Sequence, residues 1–155
     1  MRKTSHIVRR FLRETKGAVM VEFAVVCLVF LLIIAGIMDL GHAFYMRQVV
    51  TNASREGARY GVVYQTTSSG ARLAPVNYSP SIMNHILVTN HIGDLLPDNA
   101  NPQVTVTGAG YSTGTSGANL EVTVSAIKTW FVLGNFIPTL GSQITLAATT
   151  VMQCE

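Results

Sequence analysis

An apolar block of 21 residues, from Ala18 to Met38, limits what this chain can fold into more than any other feature. Its one ionisable side chain is Glu22. At 1.5 Å per residue, about 20 apolar residues in a helix cross the roughly 30 Å hydrocarbon core of a bilayer. A buried helix of a soluble domain is the alternative, but nothing downstream in the chain could surround it. Residues 18–38 are therefore predicted to form a transmembrane helix.

Basic residues are concentrated before this span. Six of the eleven lysines and arginines lie in the first 17 positions, whereas residues 18–155 carry five basic and seven acidic groups. By the positive-inside rule, a basic cluster before an apolar span places the N-terminus in the cytoplasm and the chain after Asp39 outside it. Residues 1–17 are thus predicted to be a basic leader. A nucleic-acid partner is not expected, because the remaining chain is slightly acidic.

The junction between leader and span carries a specific pattern, in which Gly17 and Ala18 are followed by Glu22 and Phe23. This pattern resembles the cleavage signature of type IV prepilins, and especially that of the Flp and TadE-like branch. The resemblance implies that a prepilin peptidase cuts between Gly17 and Ala18. It also implies that Glu22, with Phe23, serves subunit assembly by neutralising the new N-terminal amine of a neighbouring subunit. The alternative is that Glu22 only extends towards the cytoplasmic interface.

The chain after the span is predicted to continue as a stalk helix over residues 39–64, so that one helix runs from Ala18 to about Tyr64. No proline interrupts it before Pro75, and small or apolar residues recur at alternating steps of three and four, which is a helical period. This face packs either on another subunit or on the protein's own sheet. Its members are Ala43, Met46, Val50, Ala53, Gly57, Tyr60 and Tyr64.

The stalk carries the second resemblance. TadE-like proteins have an A-x-R-E-G-A-R-x pattern at about this distance from the membrane, and an acidic residue and a glycine just after the span, as Asp39 and Gly41 are here. The pattern is matched by Ala53, Arg55, Glu56, Gly57, Ala58 and Arg59. The charged members of the pattern either support the helix, by roughly a few tenths of a kcal/mol for an i,i+3 pair, or contact a partner.

Residues 65–155 are predicted to form a small extracytoplasmic α+β domain. A short helix is expected from Ser79 as N-cap and Pro80 as first helical residue to about His91, with Gly93 as its stop. Period-2 alternation predicts strands at 103–107, 120–126 and 143–151, and a loop joins the first two as a long hairpin. These elements predict an α+β fold, a long helix followed by a short helix and a small antiparallel sheet, and the resemblance implies that it is type IV pilin-like. The residues expected to face its core include Val104, Val106, Leu120, Val122, Val124, Ile144 and Leu146.

The connection at residues 130–140 is apolar, and two interpretations of it stay open. It either covers the sheet as part of the core or forms an exposed patch for a neighbouring subunit or the membrane surface. Cys154 is predicted to be free or to pair between chains, because Cys27 lies in the span and out of reach.

The sequence predicts a structural protein and not an enzyme. It contains no recognisable arrangement of nucleophile, base and orienting residue, and His85 and His91 do not share a helical face, so no metal site, cofactor or small-molecule substrate is expected. The resemblance implies a minor pseudopilin that assists assembly of a tight-adherence (Flp-type) pilus or a related secretion machine. Its partners would be the prepilin peptidase, other pilins or pseudopilins, inner-membrane assembly proteins and the membrane. The alternative is a membrane-anchored extracytoplasmic module that binds or senses a ligand.

Cleavage between Gly17 and Ala18 is the first testable expectation. Intact-mass analysis of the membrane-extracted protein should show the loss of the first 17 residues, because the peptidase cuts after the glycine that closes the leader. A mature chain that begins at Met1 contradicts this expectation. So does one that begins at Phe44, which a conventional signal-peptidase cut after Gly41-His42-Ala43 would leave.

Overall fold

A computed structural model describes residues 15–89, 91–97 and 99–155 of the chain. Its dominant element is the helix α1 (Thr15–Val62), which runs without a break through the predicted span and stalk. The single long helix is therefore confirmed, with its end two residues before Tyr64. Most of the predicted leader, residues 1–14, lies outside the described residues.

Short helical turns and three strands follow α1. The helical elements are a 3₁₀ turn (Pro75–Asn77), α2 (Ile82–Asn84), a π-helical turn (His85–Thr89), α3 (Ile92–Leu95), α4 (Ala109–Thr113), α5 (Leu133–Phe136) and a second 3₁₀ turn (Pro138–Leu140). The strands are β1 (Gln103–Thr107), β2 (Asn119–Thr129) and β3 (Gln143–Gln153).

The strands form one antiparallel sheet in the order β1-β2-β3. Val104 lies opposite Val124, and Thr123 lies opposite Thr149. Alternation along β2 puts one face on the core, because successive side chains of a strand point to opposite faces. The α+β, pilin-like fold class is thereby confirmed.

We call residues 39–62 of α1 its outer half and residues 15–38 its inner half. The outer half lies across β2 and β3, whereas the inner half extends away from the sheet. In the 18-residue window of α1 that best fits a membrane span, no residue is buried in the protein. Among the described residues, α1 is the one helix long and apolar enough to cross a membrane, judged by length and composition. The outer half instead contributes Met46, Val50 and Ala53 to the core.

Strand β2 runs antiparallel to the outer half of α1. Near its start, Ala118 accepts a hydrogen bond from the backbone of Cys154, and the next residue, Glu155, donates to Val62 at the end of α1. Near its end, Lys128 contacts Asp39. The ten steps of β2 cover about 33 Å, and the 23 helical steps from Asp39 to Val62 cover about 35 Å. The sheet therefore spans the stalk from end to end.

Glycine makes the close approach of helix and sheet possible. A Cβ added at Gly57 would stand 2.3 Å from Cδ1 of Ile86 and 3.2 Å from a methyl group of Val122. One turn further along, a Cβ at Gly61 would stand 2.7 Å from Cδ1 of Ile82. The sequence allowed the small residues of the stalk to pack either on another subunit or on the protein's own sheet. In the structure they pack on the sheet.

The predicted helix from Ser79 to His91 is wrong in its start and its length. Helix α2 begins at Ile82, and the hydroxyl of Ser81, not Ser79, accepts a hydrogen bond from the backbone of Asn84 at 3.2 Å. Pro80 lies before the cap, where its carbonyl accepts a hydrogen bond from the Tyr60 hydroxyl at 2.9 Å. After Asn84 the chain widens into the π-helical turn.

Beyond that turn, His91 has a left-handed backbone, with φ of 51°. Gly93 was expected to end the helix, but it lies inside α3. Ile82 of α2 and Ile86 of the π-helical turn both lie in the core.

Two further expectations for the sheet need correction. Ile144, near the start of β3, is exposed and not in the core, because it lines an open groove beside Ala43 and Phe44 of α1 that no side chain fills. The connection from β1 to β2, predicted as a loop, contains α4. The remaining predicted core positions of β1 and β2 are buried or half-buried.

Replacement of Gly57 by valine should lower the free energy of unfolding of the domain. The added carbons would overlap Ile86 and Val122, and overpacking of a core costs about 1–3 kcal/mol. The measurement is the free energy of unfolding by urea in detergent, followed by circular dichroism. Gly41→Val is the matched control on the same helix, because no atom lies within 4 Å of a Cβ at Gly41. Equal stability of the two variants would show that the glycine is not needed for packing.

Candidate functional site

Asp39, the first residue after the predicted span, is the most heavily bonded side chain in the described chain. Its carboxylate is fully buried. Oδ1 accepts hydrogen bonds from Lys128 Nζ at 3.1 Å and from the backbone N–H of Phe131 at 3.0 Å. Oδ2 accepts from the N–H groups of Val132 at 2.9 Å and Leu133 at 3.0 Å. One carboxylate thus joins α1, the end of β2 and the loop that follows.

Lys128 is the buried cation of this site. Its side chain is fully buried and also donates to the carbonyl of Thr129. Its Nζ lies 4.6 Å from the ring centroid of Phe131 and 5.0 Å from that of Trp130, which is cation–π distance. A buried ion pair is tolerated only when its remaining donors and acceptors are satisfied. Here the amides, the carbonyl and the two rings provide those contacts.

The surroundings hold Asp39 in its ionised form. Burial alone would raise the pKa of Asp39, but hydrogen bonds from the amides of Phe131, Leu133 and Val132 and from Lys128 outweigh it and hold the pKa well below its usual range. Burial lowers the pKa of the neighbouring His42, and the charge of Lys128 lowers it further, although Asp39 opposes both. His42 is therefore neutral at neutral pH, and its ring lies 5.6 Å from that of Phe131.

Neither Lys128 nor the loop amides were predicted to be site residues, although the alternation along β2 gives one indication for Lys128. Inward positions of β2 recur at Leu120, Val122, Val124 and Ala126, and Lys128 occupies the next such position. A lysine on the buried face of a strand requires a partner. Asp39, noted only as a family feature after the span, is that partner.

The residues predicted for processing and assembly lie apart from this site. Gly17 and Ala18 fall inside α1, and the side chains of Glu22 and Phe23 are exposed. Glu22 precedes Asp39 by 17 helical residues, or about 26 Å. The domain does not use Glu22 for its own packing, and the roles predicted for these four residues stay predictions.

The A-x-R-E-G-A-R pattern divides into two faces. Ala53, Gly57 and Ala58 are buried against the sheet, whereas Arg55 and Arg59 are exposed.

The acidic member, Glu56, lies 3.9 Å from His85 Nε2, and the His85 ring stacks on Tyr60 with centroids 3.9 Å apart. The small residues of the pattern therefore serve packing. Glu56 faces the π-helical turn in this structure, and partner contact through the two arginines stays a prediction.

The apolar connection and the cysteines can now be placed. Phe131, Phe136, Ile137 and Leu140 are exposed, so the interpretation of residues 130–140 as an exposed patch holds and the core interpretation does not. Cys154 is a free thiol that is buried beside Gly110, so burial disfavours a pairing between chains. Within residues 15–89, 91–97 and 99–155, no three His, Cys, Asp or Glu side chains cluster as a metal site.

Comparison with known families matches the N-terminal part of the chain. The model of the family described as TadE-like protein matches residues 17–59, which include the predicted cleavage point, the span, Asp39 and the stalk pattern. The resemblance stated from the sequence is therefore confirmed over this part of the chain. The family implies a part in Tad or Flp pilus assembly, in which its members are structural components. Searches of curated proteins and of solved structures found no match.

Removal of the Asp39 carboxylate should destabilise the domain strongly. Asp39→Ala leaves Lys128 as an unpaired buried charge and three amides without an acceptor, and loss of one partner of a buried pair costs about 3–5 kcal/mol. Urea unfolding of the full chain in detergent at neutral pH measures the effect. Asp94→Ala is the control, because Asp94 is an exposed carboxylate whose pairing with His91 is screened by solvent.

The same comparison tests the ionisation of Asp39. Its folded pKa lies below its unfolded pKa of about 3.9, so the unfolded state binds more protons at low pH. Its stabilising contribution is therefore complete well above that value and is lost as the pH falls through and below it. The difference in the free energy of unfolding between wild type and Asp39→Ala should therefore become smaller in acid. A difference that is small at neutral pH, or that does not change with pH, would contradict this account.

Proposed function

We propose that this TadE-like chain is a minor pseudopilin, a single-pass membrane protein with a structural part in assembly of a tight-adherence (Flp-type) pilus or a related secretion machine. The observation that carries the proposal is the family match over residues 17–59. Those 43 residues contain the leader glycine, the acidic residue of the span and the stalk pattern, which are the parts of the chain that membrane insertion and subunit contact would use.

The shape of the protein supports the same function. The inner half of α1 is apolar apart from Glu22 and meets the domain near Gly36, where Leu133 approaches it, whereas its outer half forms part of the domain core. A helix with these two halves can pack laterally against neighbouring helices in the membrane while it holds a folded domain outside. Exposed apolar side chains cover the inner half, among them Phe23, Val26, Phe30 and Ile33.

Orientation and processing belong to the proposal. The basic residues on the N-terminal side of the span favour a cytoplasmic N-terminus in the inner membrane and an extracytoplasmic domain. Cleavage between Gly17 and Ala18 would free an α-amino group one helical turn from Glu22. Because the domain contacts α1 only well beyond these residues, the cut would leave the folded domain intact.

Glu22 has the clearest assembly role in this proposal. A carboxylate at the centre of a bilayer costs about 2.5–3.5 kcal/mol on insertion scales, and Glu22, four residues inside the predicted span, would carry part of that cost unless it is paired. In the described chain its side chain is exposed and lies on the membrane half of α1. The proposed partner is the Ala18 amine of a neighbouring subunit, whose positive charge would compensate the carboxylate within the apolar surroundings.

Substitution of Glu22 should impair assembly without impairing the domain. Glu22→Ala removes the charge, and insertion should become easier by up to about 3 kcal/mol, so abundance and membrane location should be unchanged. Pilus formation, or co-purification with other pilins, should fall in strains that carry Glu22→Ala or Glu22→Gln. The control is Val21→Ala, which shortens an adjacent exposed side chain of the span and keeps the carboxylate.

Two results would overturn the subunit-pairing account. If both Glu22 variants are cleaved, stable and fully competent in assembly, Glu22 is only an interfacial residue. If both variants are missing from the membrane while Val21→Ala is present, the role of Glu22 lies in insertion or processing.

A further inference from the structure

The loop between β2 and β3 exposes large apolar side chains at one end of the domain. Phe131 is 69% exposed and Phe136 is 62% exposed, and Ile137 and Leu140 are exposed as well. We call these four residues, together with Phe44 of α1, the collar. Exposed apolar patches on a folded domain mark contact surfaces, so the question is which surface the collar meets.

The position of the loop along α1 answers that question. Its start is fixed to Asp39 by three amide hydrogen bonds. A methyl carbon of Leu133 lies 3.6 Å from where a Cβ at Gly36 would stand, and Gly36 belongs to the predicted span. The loop returns to the sheet where Trp130 N–H donates to the carbonyl of Ser142 at 3.2 Å. The collar therefore lies at the end of the domain that faces the span and meets the span directly.

The exposed apolar surface of α1 continues to the same level. Phe44 and Tyr45 are exposed beyond the predicted span, and Arg47 is the first lysine or arginine after Lys16. Residues 18–45 would measure about 42 Å as a helix, which matches a bilayer of about 40–45 Å with its headgroups. Phe44 and the loop then lie at headgroup depth, where aromatic residues are favoured.

The charges of this region are arranged to suit such a location. Asp39 and Lys128 are fully buried and pair with each other. Arg47, two residues beyond Tyr45, and Asp94, next to the Leu95 carbonyl that the Tyr45 hydroxyl contacts, are exposed and can reach the aqueous side of the headgroups. His42 is half-buried and neutral at neutral pH. The loop therefore presents apolar and aromatic side chains towards the span, while it encloses the ion pair of Asp39 and Lys128.

From these observations we propose that the collar inserts into the lipid headgroup region of the outer leaflet of the membrane that α1 crosses, and seats the domain on the bilayer surface. The occupant of the patch is lipid and not a second subunit, because the collar is continuous with the apolar surface of the span. The inference requires only the membrane span and is independent of a role in pilus assembly.

Tryptophan fluorescence in the full-length protein can test the proposal. Trp130 is the only tryptophan of the chain, so Trp130→Phe gives a silent background that keeps an aromatic ring beside Lys128. In that background, Phe136→Trp places the probe in the collar. Val151→Trp places it on an exposed position of β3, 55% exposed and opposite Glu121 near the far end of the sheet. Both proteins are reconstituted in phosphatidylcholine vesicles with or without brominated acyl chains.

The expected result is a blue-shifted emission for Phe136→Trp that brominated lipid quenches strongly, and a red, unquenched emission for Val151→Trp. Ile137→Trp serves as a second collar probe in case the first variant fails to fold. The same quenching at both ends of the sheet, or no quenching at either collar position, would overturn the proposal. So would a blue shift that bromine does not affect and that weakens as protein is diluted in lipid, since that behaviour indicates a second copy on the collar.

Discussion

The buried carboxylate of Asp39 is the interaction on which the arrangement of this protein depends. It accepts four hydrogen bonds from two parts of the fold, the end of β2 and the loop that follows, and it holds both of them against α1. The helix would lose its only polar connection to Lys128, and the loop after β2 would lose the acceptor of three consecutive amides. The carboxylate lies where the membrane helix becomes part of the domain, so it also fixes how the domain is oriented relative to the span.

Away from that site, the contact between helix and sheet is apolar, apart from a hydrogen bond of 2.9 Å between the hydroxyls of Ser54 and Thr150, and it depends on small residues. Gly57 and Gly61 allow Ile82, Ile86 and Val122 to reach the backbone of α1. This gives a physical reason for the glycine and alanines in the stalk pattern, independent of any partner. The two arginines of the pattern, Arg55 and Arg59, are exposed and take no part in this packing. They are the residues of the stalk at which contacts with other subunits can be tested.

The spacing of apolar residues and the length of the apolar block were sufficient to predict the long helix, the three strands and the α+β fold class. Strand alternation located β1 to the residue, because a half-buried strand repeats every second position. The bounds of the short helices could not be predicted, because Ser79 and Ser81 both offer a cap in the sequence, whereas in the fold Ser81 is the cap and Pro80 before it accepts a hydrogen bond from Tyr60. The Asp39 site was missed for a related reason, since it joins groups 89 to 94 residues apart, and no local pattern connects them.

The matched lengths of β2 and the outer half of α1 impose a constraint on how proteins of this shape can vary. Each residue inserted between Asp39 and Val62 would advance the helix by 1.5 Å and rotate it by about 100°. Asp39 would then turn away from Lys128 while Val62 stayed at the far end of the sheet. The stalk can therefore neither grow nor shrink without a compensating change in β2 and β3, whereas the turn between Val62 and Pro75 can accept insertions at its tip, where no atom lies within 4 Å of a Cβ at Gly70. Differences in chain length among such proteins should accumulate in that turn and in the connections between strands, and not in the helix that sets the height of the domain.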